Sequence, residues 1–443
     1  MLPSMKLLIF AHTPPPHHGQ SYMVQLMLAG FGGDRRKQNR AAGNASSANG
    51  TSTDGQKYGI ECYHVNARLS KRLEDIGDLR FGKLLLLLSY CLQAVWCRFR
   101  YGVTAMYYIP APGKTSALYR DWLVMLICRQ FFKKVALHWE AAGLADWLET
   151  SVSMRTRSLT YQFLKRVDLS VILSQYNRAD AEKIFSRQIR VVNNGIPDPC
   201  PDFERQLWPR RKARFAARRK VLMGEALAED DKQHTGGSPN VVRVLFLALC
   251  TKDKGVFDAI SGVALAKQRL AKLKRDIVLR LQIAGTFVDA EGKAEFERLM
   301  AQPKFAEFIE YAGFVSGERK ERLLREADLF CFPTYYENEN QPVNLIEAMA
   351  FGLPILTTRW RSIPEWFPAN YPGLVDIRSP EQVANVMLTL MALDPSYGLR
   401  ENFLKNFTVE QYLNGMAEAL ARLEHNEPGK GLLAGLASVP HSG

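Results

Sequence analysis

Two carboxylates, Glu339 and Glu347, are the residues of this sequence best placed to do chemistry. They lie in the stretch from Phe332 to Glu365, FPTYYENENQPVNLIEAMAFGLPILTTRWRSIPE, with seven residues between them. A carboxylate accepts hydrogen bonds from two hydroxyls at once, which suits a ribose diol or a sugar ring. Pro342 predicts the first turn of a helix, where its missing N–H is not needed. Leu345, Ile346, Met349 and Ala350 then recur at helical spacing, and Gly352 and Pro354 end the run. The start of such a helix leaves N–H groups unpaired and carries partial positive charge, which favours a phosphate. Glu339 falls in the loop just before that start. Glu347 lies eight residues on, at most ~12 Å away, roughly the reach of a sugar, two phosphates and a ribose in line. Taken alone, the spacing also fits two solvated helix charges.

The elements around this stretch are a strand at 329–333, a polar loop, the helix, and a short buried strand at 355–358 (Ile-Leu-Thr-Thr). Its wording resembles the retaining glycosyltransferases of family 4. The run E-N-Q-P-V-N-L-I-E-A-M-A-F-G-L-P-I-L-T-T is similar to that family's E-x7-E motif with its E-A-M-A-x-G-x-P continuation, and R-S-I-P-E at 361–365 fits its end. The resemblance implies an α/β protein of GT-B fold, with two Rossmann-like, doubly wound parallel-sheet domains facing across a cleft. It assigns Glu339 to the donor sugar, Glu347 to the nucleotide ribose, and the loop at Asn340 and Gln341 to sugar and phosphate.

Taken in order, Met5–Ala11 reads as a parallel strand, followed by HTPPPHHGQS and a helix from about Gln20 to Leu28. Gly19, before that helix, lets a backbone approach a phosphate; family members often carry two glycines where this chain has Gly19-Gln20. His12, His17 and His18 read as loop polar residues, not a metal cluster. Residues 32–56 lack apolar periodicity and read as a disordered surface insertion. The run 81–100 reads as a helix, either core or lying at a membrane surface with Trp96, Arg98 and Arg100 at the interface. Between a strand at 104–109 and a helix, P-A-P-G-K-T-S at 110–116 lacks the first glycine of a phosphate-binding P-loop, since position 108 is Tyr. It reads as a helix start capped by Thr115 or Ser116, with Lys114 available to an anionic substrate.

The strand 134–138 ends at His138, at the edge where ligands bind in parallel sheets; the resemblance places a functional histidine here, near the transferring sugar. Glu140 is a further candidate on the acceptor side. Strands near 169–173 and 189–192, the latter followed by N-N-G-I-P-D, close a first domain at 1–198. Residues 199–240 read as a linker with a basic helix at 208–223, WPRRKARFAARRKVLM, which is either a solvated surface helix or a contact for anionic lipid through Arg210, Arg211 and Lys212. A second domain is expected at 241–400. Its first strand leads into C-T-K-D-K-G-V, where the resemblance gives Lys254 the donor pyrophosphate. The Arg that many members place after the strand is Leu249 here, with Lys252 nearby to compensate. A C-terminal helix at 401–424, crossing back toward the first domain, and a loose tail at 425–443 complete the expectation.

Composition bounds the rest. The chain has 443 residues, 47% of them hydrophobic, enough for two or three domains. Its net charge is +13, and residues 1–200 hold 26 Lys/Arg against 14 Asp/Glu. That suggests an anionic acceptor or a membrane surface. Nucleic acid is disfavoured, since the basic helix interleaves only Trp208 and Phe215. Seven cysteines without a C-x-x-C pair read as reduced core residues of a cytoplasmic protein, possessing no leader and sitting at most peripherally on the inner membrane face. There is no Asp-x-Asp triplet, so no metal or other cofactor is expected, the nucleotide sugar being the substrate and a glycan or lipid-linked molecule the acceptor. A nicotinamide oxidoreductase is disfavoured by the lack of G-x-G-x-x-G after a strand. A nucleotide-sugar-binding scaffold without catalysis is the alternative that Leu249 and Gly19-Gln20 leave open.

Overall fold

The structure is a computed structural model. It describes residues 5–15, 19–42, 57–69, 81–228, 240–392 and 398–423. The chain divides into two compact units. The first holds Met1–Leu173, Asn177–Val192 and Leu413–Gly443, and the second Ser174–Tyr176 and Asn193–Tyr412.

The first unit is built on six parallel strands: β1 (Met5–Ala11), β2 (Ile60–Asn66), β3 (Ala105–Tyr108), β4 (Lys134–Trp139), β5 (Leu169–Ile172) and β6 (Ile189–Val191). They lie in the order β2-β1-β3-β4-β5-β6. The central strands are apolar on both faces because helices cover both, as parallel sheets require; Leu7, Leu8 and Ile9 are all fully buried. On one face, helix Phe81–Tyr101 inserts Leu87, Cys91, Ala94 and Cys97, and helix Thr115–Cys128 inserts Leu118, Val124 and Met125. Of the two alternatives for the first of these helices, the core one is met on this face. Its other face leaves Leu85, Leu92, Trp96 and Phe99 exposed. The strand order reverses between β1 and β3, which places a ligand crevice at their carboxyl ends.

The second unit repeats the plan with β7 (Val241–Leu247), β8 (Val278–Ala284), β9 (Ile309–Gly313), β10 (Leu329–Phe332), β11 (Ile355–Thr358) and β12 (Leu374–Val375). The order is β12-β11-β10-β7-β8-β9, all parallel. Here the order reverses between β7 and β10. Register pairs Leu329 with Val244 and Phe330 with Leu245, so the carboxyl ends of these two strands open side by side.

Several expectations are corrected. Part of the 32–56 insertion is helical, at Arg35–Ala42. Buried Asp34 anchors it by accepting from the N–H groups of Arg36 and His64; 43–56 lie outside the described residues. Neither Thr115 nor Ser116 caps its helix: the N-cap is Lys114, with no side-chain bond, and the loop before it is held by buried Asp121, which accepts from the Ala111 N–H and Tyr108 Oη at 2.6 Å each. The basic helix Trp208–Met223 groups with the second unit, and Arg211 is buried, not turned to a membrane. Its guanidinium donates to the carbonyls of Ala327 and Leu324, which end a neighbouring helix and accept a cation well. The expected helix at 401–424 is two, Leu399–Asn406 and Val409–Ala421. They part where Ile196 bridges Thr408, its N–H donating to Phe407 O and its carbonyl accepting from Val409. Gly195 is there for that approach, since a Cβ would stand 2.2 Å from the Thr408 carbonyl oxygen. The division between units falls after Tyr412, inside the last helix. The tail at 425–443 lies outside the described residues.

Candidate active site

In the second unit the two strands beside the reversal, β7 and β10, each run into a loop and then a helix. The β7 loop turns at Gly255, whose φ of +82° suits glycine, and a Cβ there would lie 2.2 Å from the Pro333 carbonyl oxygen of the β10 loop. That close approach brings the two loops together. The Tyr335 N–H donates to Asp253 O at 2.7 Å, and Thr334 Oγ1 donates to the same oxygen at 3.3 Å.

The contact between loops joins Lys254 to Glu339. Lys254 Nζ stands 2.7 Å from Glu339 Oε2, which also accepts from Thr334 Oγ1 at 2.9 Å. The Lys254 ammonium lies over the Tyr336 ring, 4.2 Å from its centre, a further attraction for a cation. Glu339 is 6% exposed. Its Oε2 is taken by these partners, while Oε1 accepts from none of the described residues. The carboxylate thus keeps one oxygen for a hydroxyl, and Lys254 keeps donors for an anion.

Asn340 and Gln341 are buried, and their side chains hold the loop. Gln341 Oε1 accepts from the Asn194 N–H at 2.5 Å, and its Nε2 donates to Asn193 Oδ1 at 3.2 Å. The Asn340 carbonyl and Oδ1 accept from Ser362 Oγ at 2.6 and 3.2 Å. Glu365, at the end of R-S-I-P-E, accepts the N–H groups of Gln175 and Tyr176 at 2.8 Å each. Helix Val343–Ala350 opens after Pro342, and Asn344 ties it to β7 by donating to Leu247 O at 2.8 Å. Glu347, within that helix, pairs with Lys320 at 2.5 Å. Lys252 is exposed on the β7 loop. Two helix starts, after Gly255 and after Pro342, therefore flank the Glu339–Lys254 pair, an arrangement that favours a diphosphate.

In the first unit, Gly19 opens helix Gly19–Gly30 after β1, and Lys114 is the exposed N-cap after β3. Gly113 packs on Trp147 and cradles no phosphate; a Cβ would lie 2.7 Å from that ring. His138, on β4, is fully buried. Tyr107 Oη on the adjacent strand lies 2.6 Å from its Nδ1, and Glu140 Oε1 lies 3.7 Å from the same nitrogen. Nε2 has no partner among the described residues. Burial pushes the His138 imidazole down to about 3, so it is neutral. With Nδ1 engaged by Tyr107, the neutral ring has only Nε2 left to donate or accept one hydrogen bond.

Residues that the sequence reading missed include Thr334, Tyr336, Lys320, Tyr107 and Asp121. Thr334 and Tyr336 lie inside the quoted stretch, and their nearness to Glu339 was a usable signal. Lys320, 27 residues before Glu347, and Tyr107, 31 before His138, gave none.

Residues 229–409 match the family described as glycosyl transferases group 1. The second unit is a group 1 glycosyl transferase domain, in a chain of two-unit GT-B architecture. Among curated relatives, the chain is 29% identical over 154 residues to the amylovoran biosynthesis glycosyltransferase AmsK of Erwinia amylovora, covering 34% of this chain and 35% of that one. It is 31% identical over 127 residues to the MMP alpha-(1->4)-mannosyltransferase of Mycolicibacterium hassiacum, 28% of each chain. The chain thus spans about a third of the length of these relatives. Among solved structures it shares the fold of sucrose-phosphate synthase from Thermosynechococcus elongatus, with TM-score 0.59, 16% identity and 95% and 99% of the two chains covered. It shares it equally with Anabaena Alr3699/HepE in complex with UDP-glucose, with TM-score 0.59, 14% identity and 94% and 100% covered.

Proposed function

We propose that the protein is a retaining glycosyltransferase that moves a sugar from a nucleotide-sugar donor to a hydroxyl acceptor without a metal. The observation that carries this reading is the Glu339–Lys254 pair between two helix starts at the strand-order reversal of the second sheet. In the reaction the bond from the anomeric carbon to the diphosphate oxygen breaks and a bond to the acceptor oxygen forms. The acceptor proton leaves with the diphosphate or to water. Charge builds on the departing diphosphate, where Lys254 and the N–H groups after Gly255 and Pro342 stabilise it. Glu339 Oε1 holds a sugar hydroxyl, and Glu347 binds the ribose diol once Lys320 yields. Lys252 adds a solvent-facing charge to the diphosphate, and the loop of Asn340 and Gln341 lies against sugar and phosphate. Metal independence is supported by a lysine standing where charge must be neutralised and by the lack of an Asp-x-Asp triplet.

In the first unit Lys114 and Glu140 serve the acceptor, neutral His138 the transferring sugar, and the backbone at Gly19 the donor phosphate. The acceptor is a glycan or lipid-linked molecule of cell-surface polysaccharide or glycolipid synthesis; the naming of one relative for amylovoran biosynthesis supports this class. No helix of the described residues is long and apolar enough to cross a membrane. Peripheral contact with an anionic inner membrane face is favoured by the exposed Leu92, Trp96 and Phe99 beside Arg98 and Arg100. Flotation with phosphatidylglycerol vesicles should be lost in Leu92→Ser/Phe99→Ser; equal flotation would dismiss that face.

The deciding experiment is a thermal-shift series with UDP, GDP, ADP and their sugars in EDTA, followed by product analysis with the donor that binds. Stabilisation by one nucleotide series and a product of unchanged anomeric configuration support the reading. Binding without turnover on any acceptor, including donor hydrolysis, would instead make the protein a nucleotide-sugar-binding scaffold.

A further inference from the structure

The amino ends of β7 and β10, at the far side of the second sheet, border a cavity of about 340 Å³. Asp328 and Thr334 bracket β10, six residues apart, so the cavity lies about 20 Å along the strand from Glu339. It is separate from the donor site and needs none of its residues.

Its walls are rich in arginine. Arg210, Arg211 and Arg214 enter from helix Trp208–Met223, Arg243 from β7 and Arg325 from the helix before β10. Two acids line it, Glu326 and Asp328. Asp328 is consumed locally: Arg214 and Arg218 both pair with it, at 3.0 and 2.8 Å, and the Arg243 N–H donates to it at 2.9 Å. Arg325 is held by Asp202 and Glu321. Arg211 and Arg243 have no carboxylate within ion-pair distance among the described residues. Among the described residues Arg211, 8% exposed, donates only to carbonyls, and its buried Nε has no partner. Burial pushes its guanidinium down to about 10.

A buried guanidinium without a carboxylate is costly; the carbonyls at the helix end offset part of that cost for Arg211, and an anion seated against it offsets more. Guanidinium groups present paired donors that match phosphate oxygens. The volume exceeds a bare phosphate and falls in the range of small-molecule sites.

We propose that this cavity is a second binding site, for a phosphomonoester dianion, recognised by Arg211 and Arg243 with Arg210 at its mouth. The phosphate comes either from a soluble phosphorylated metabolite or from the headgroup of an anionic lipid. Both share the chemistry, and the test separates them.

The full chain is titrated calorimetrically with inorganic phosphate and with glycerol 3-phosphate at constant ionic strength. Saturable one-to-one binding is expected, tighter for glycerol 3-phosphate, and weakened at least about tenfold by Arg243→Ala and by Arg210→Ala. Both residues are at least partly exposed, so both variants keep the fold, which circular dichroism checks. Lys252→Ala, in the donor loop, should leave the binding unchanged. Co-sedimentation with phosphatidic acid vesicles that is lost in the same two variants marks a lipid source, and binding of the soluble esters alone marks a metabolite. No saturable binding of either ester, or binding that ignores both arginine substitutions, overturns the proposal. These outcomes hold whether or not a nucleotide sugar binds at Glu339.

Discussion

The carboxyl ends of the two sheets bury titratable groups in opposite ways. In the second sheet Glu339 and Lys254 are both largely buried, and each offsets the other's lost hydration across 2.7 Å with Thr334 as a third partner. In the first sheet His138 is wholly buried beside a neutral tyrosine, and its ring is held uncharged. A paired charge keeps its field and can act on a developing anion. A neutral ring can only donate or accept a hydrogen bond. The contrast teaches that, under the proposed function, the second unit suits the charge of a leaving group and the first suits hydroxyls.

The largest test of this contrast is Glu339→Gln. Transfer should fall by ~10²–10³-fold, the usual effect of removing one preorganised polar group, with nucleotide affinity kept; unchanged turnover would remove Glu339 from the chemistry. Next, Lys254→Met strands a buried carboxylate. A loss of about 2–3 kcal/mol is expected, below the full value for a buried pair because Lys254 is partly exposed. Urea unfolding measures it, and adding Glu339→Gln should restore part of the loss. No recovery in the double variant would mean that the pair is not what the substitution breaks.

His138 gives a smaller effect that depends on pH. Its folded value, about 3, lies below the unfolded one near 6.5. The unfolded chain therefore takes up the proton first. Stability is complete above pH 6.5 and drains as pH falls toward 3, by about 2 kcal/mol between pH 6.5 and 5. His138→Asn should flatten that slope in urea titrations. Buried His64, also lowered by desolvation, leaves a residual slope. Identical slopes in wild type and variant would place a solvated histidine at 138. Smallest is Glu347→Ala, which should weaken nucleotide binding by roughly tenfold, the worth of one or two hydrogen bonds to a charged group. Unaltered affinity would leave Glu347 with only its Lys320 pair.

Much of this was legible because short-range physics governs it. Pro342, the apolar spacing through Ala350 and the stop at Gly352 placed the helix, observed at Val343–Ala350. The apolar runs gave all the central strands, since a strand covered on both faces must be apolar on both. The basic helix was found at 208–223, yet the environment of Arg211 was not. A run of arginines looks the same whether it faces water or the carbonyls of Leu324 and Ala327, more than 110 residues away. Asn340 and Gln341 were singled out by the motif, while the partners of their side chains, Ser362 and Asn193–Asn194, were not.

The sequence by itself therefore determined the elements, because periodicity and turn chemistry are local, and its family resemblance pointed to the two-sheet plan and to Glu339, Glu347 and Lys254 as candidates. The tertiary structure alone decided which charges meet. Gly255 against Pro333 brings Lys254 to Glu339 across 85 residues of chain. The pairing of β3 with β4 sets Tyr107 on His138, and β10 beside β7 closes the arginine cavity. Hydration is lost only when the chain folds, so which charge keeps its proton, and which needs a counter-ion, is settled by packing.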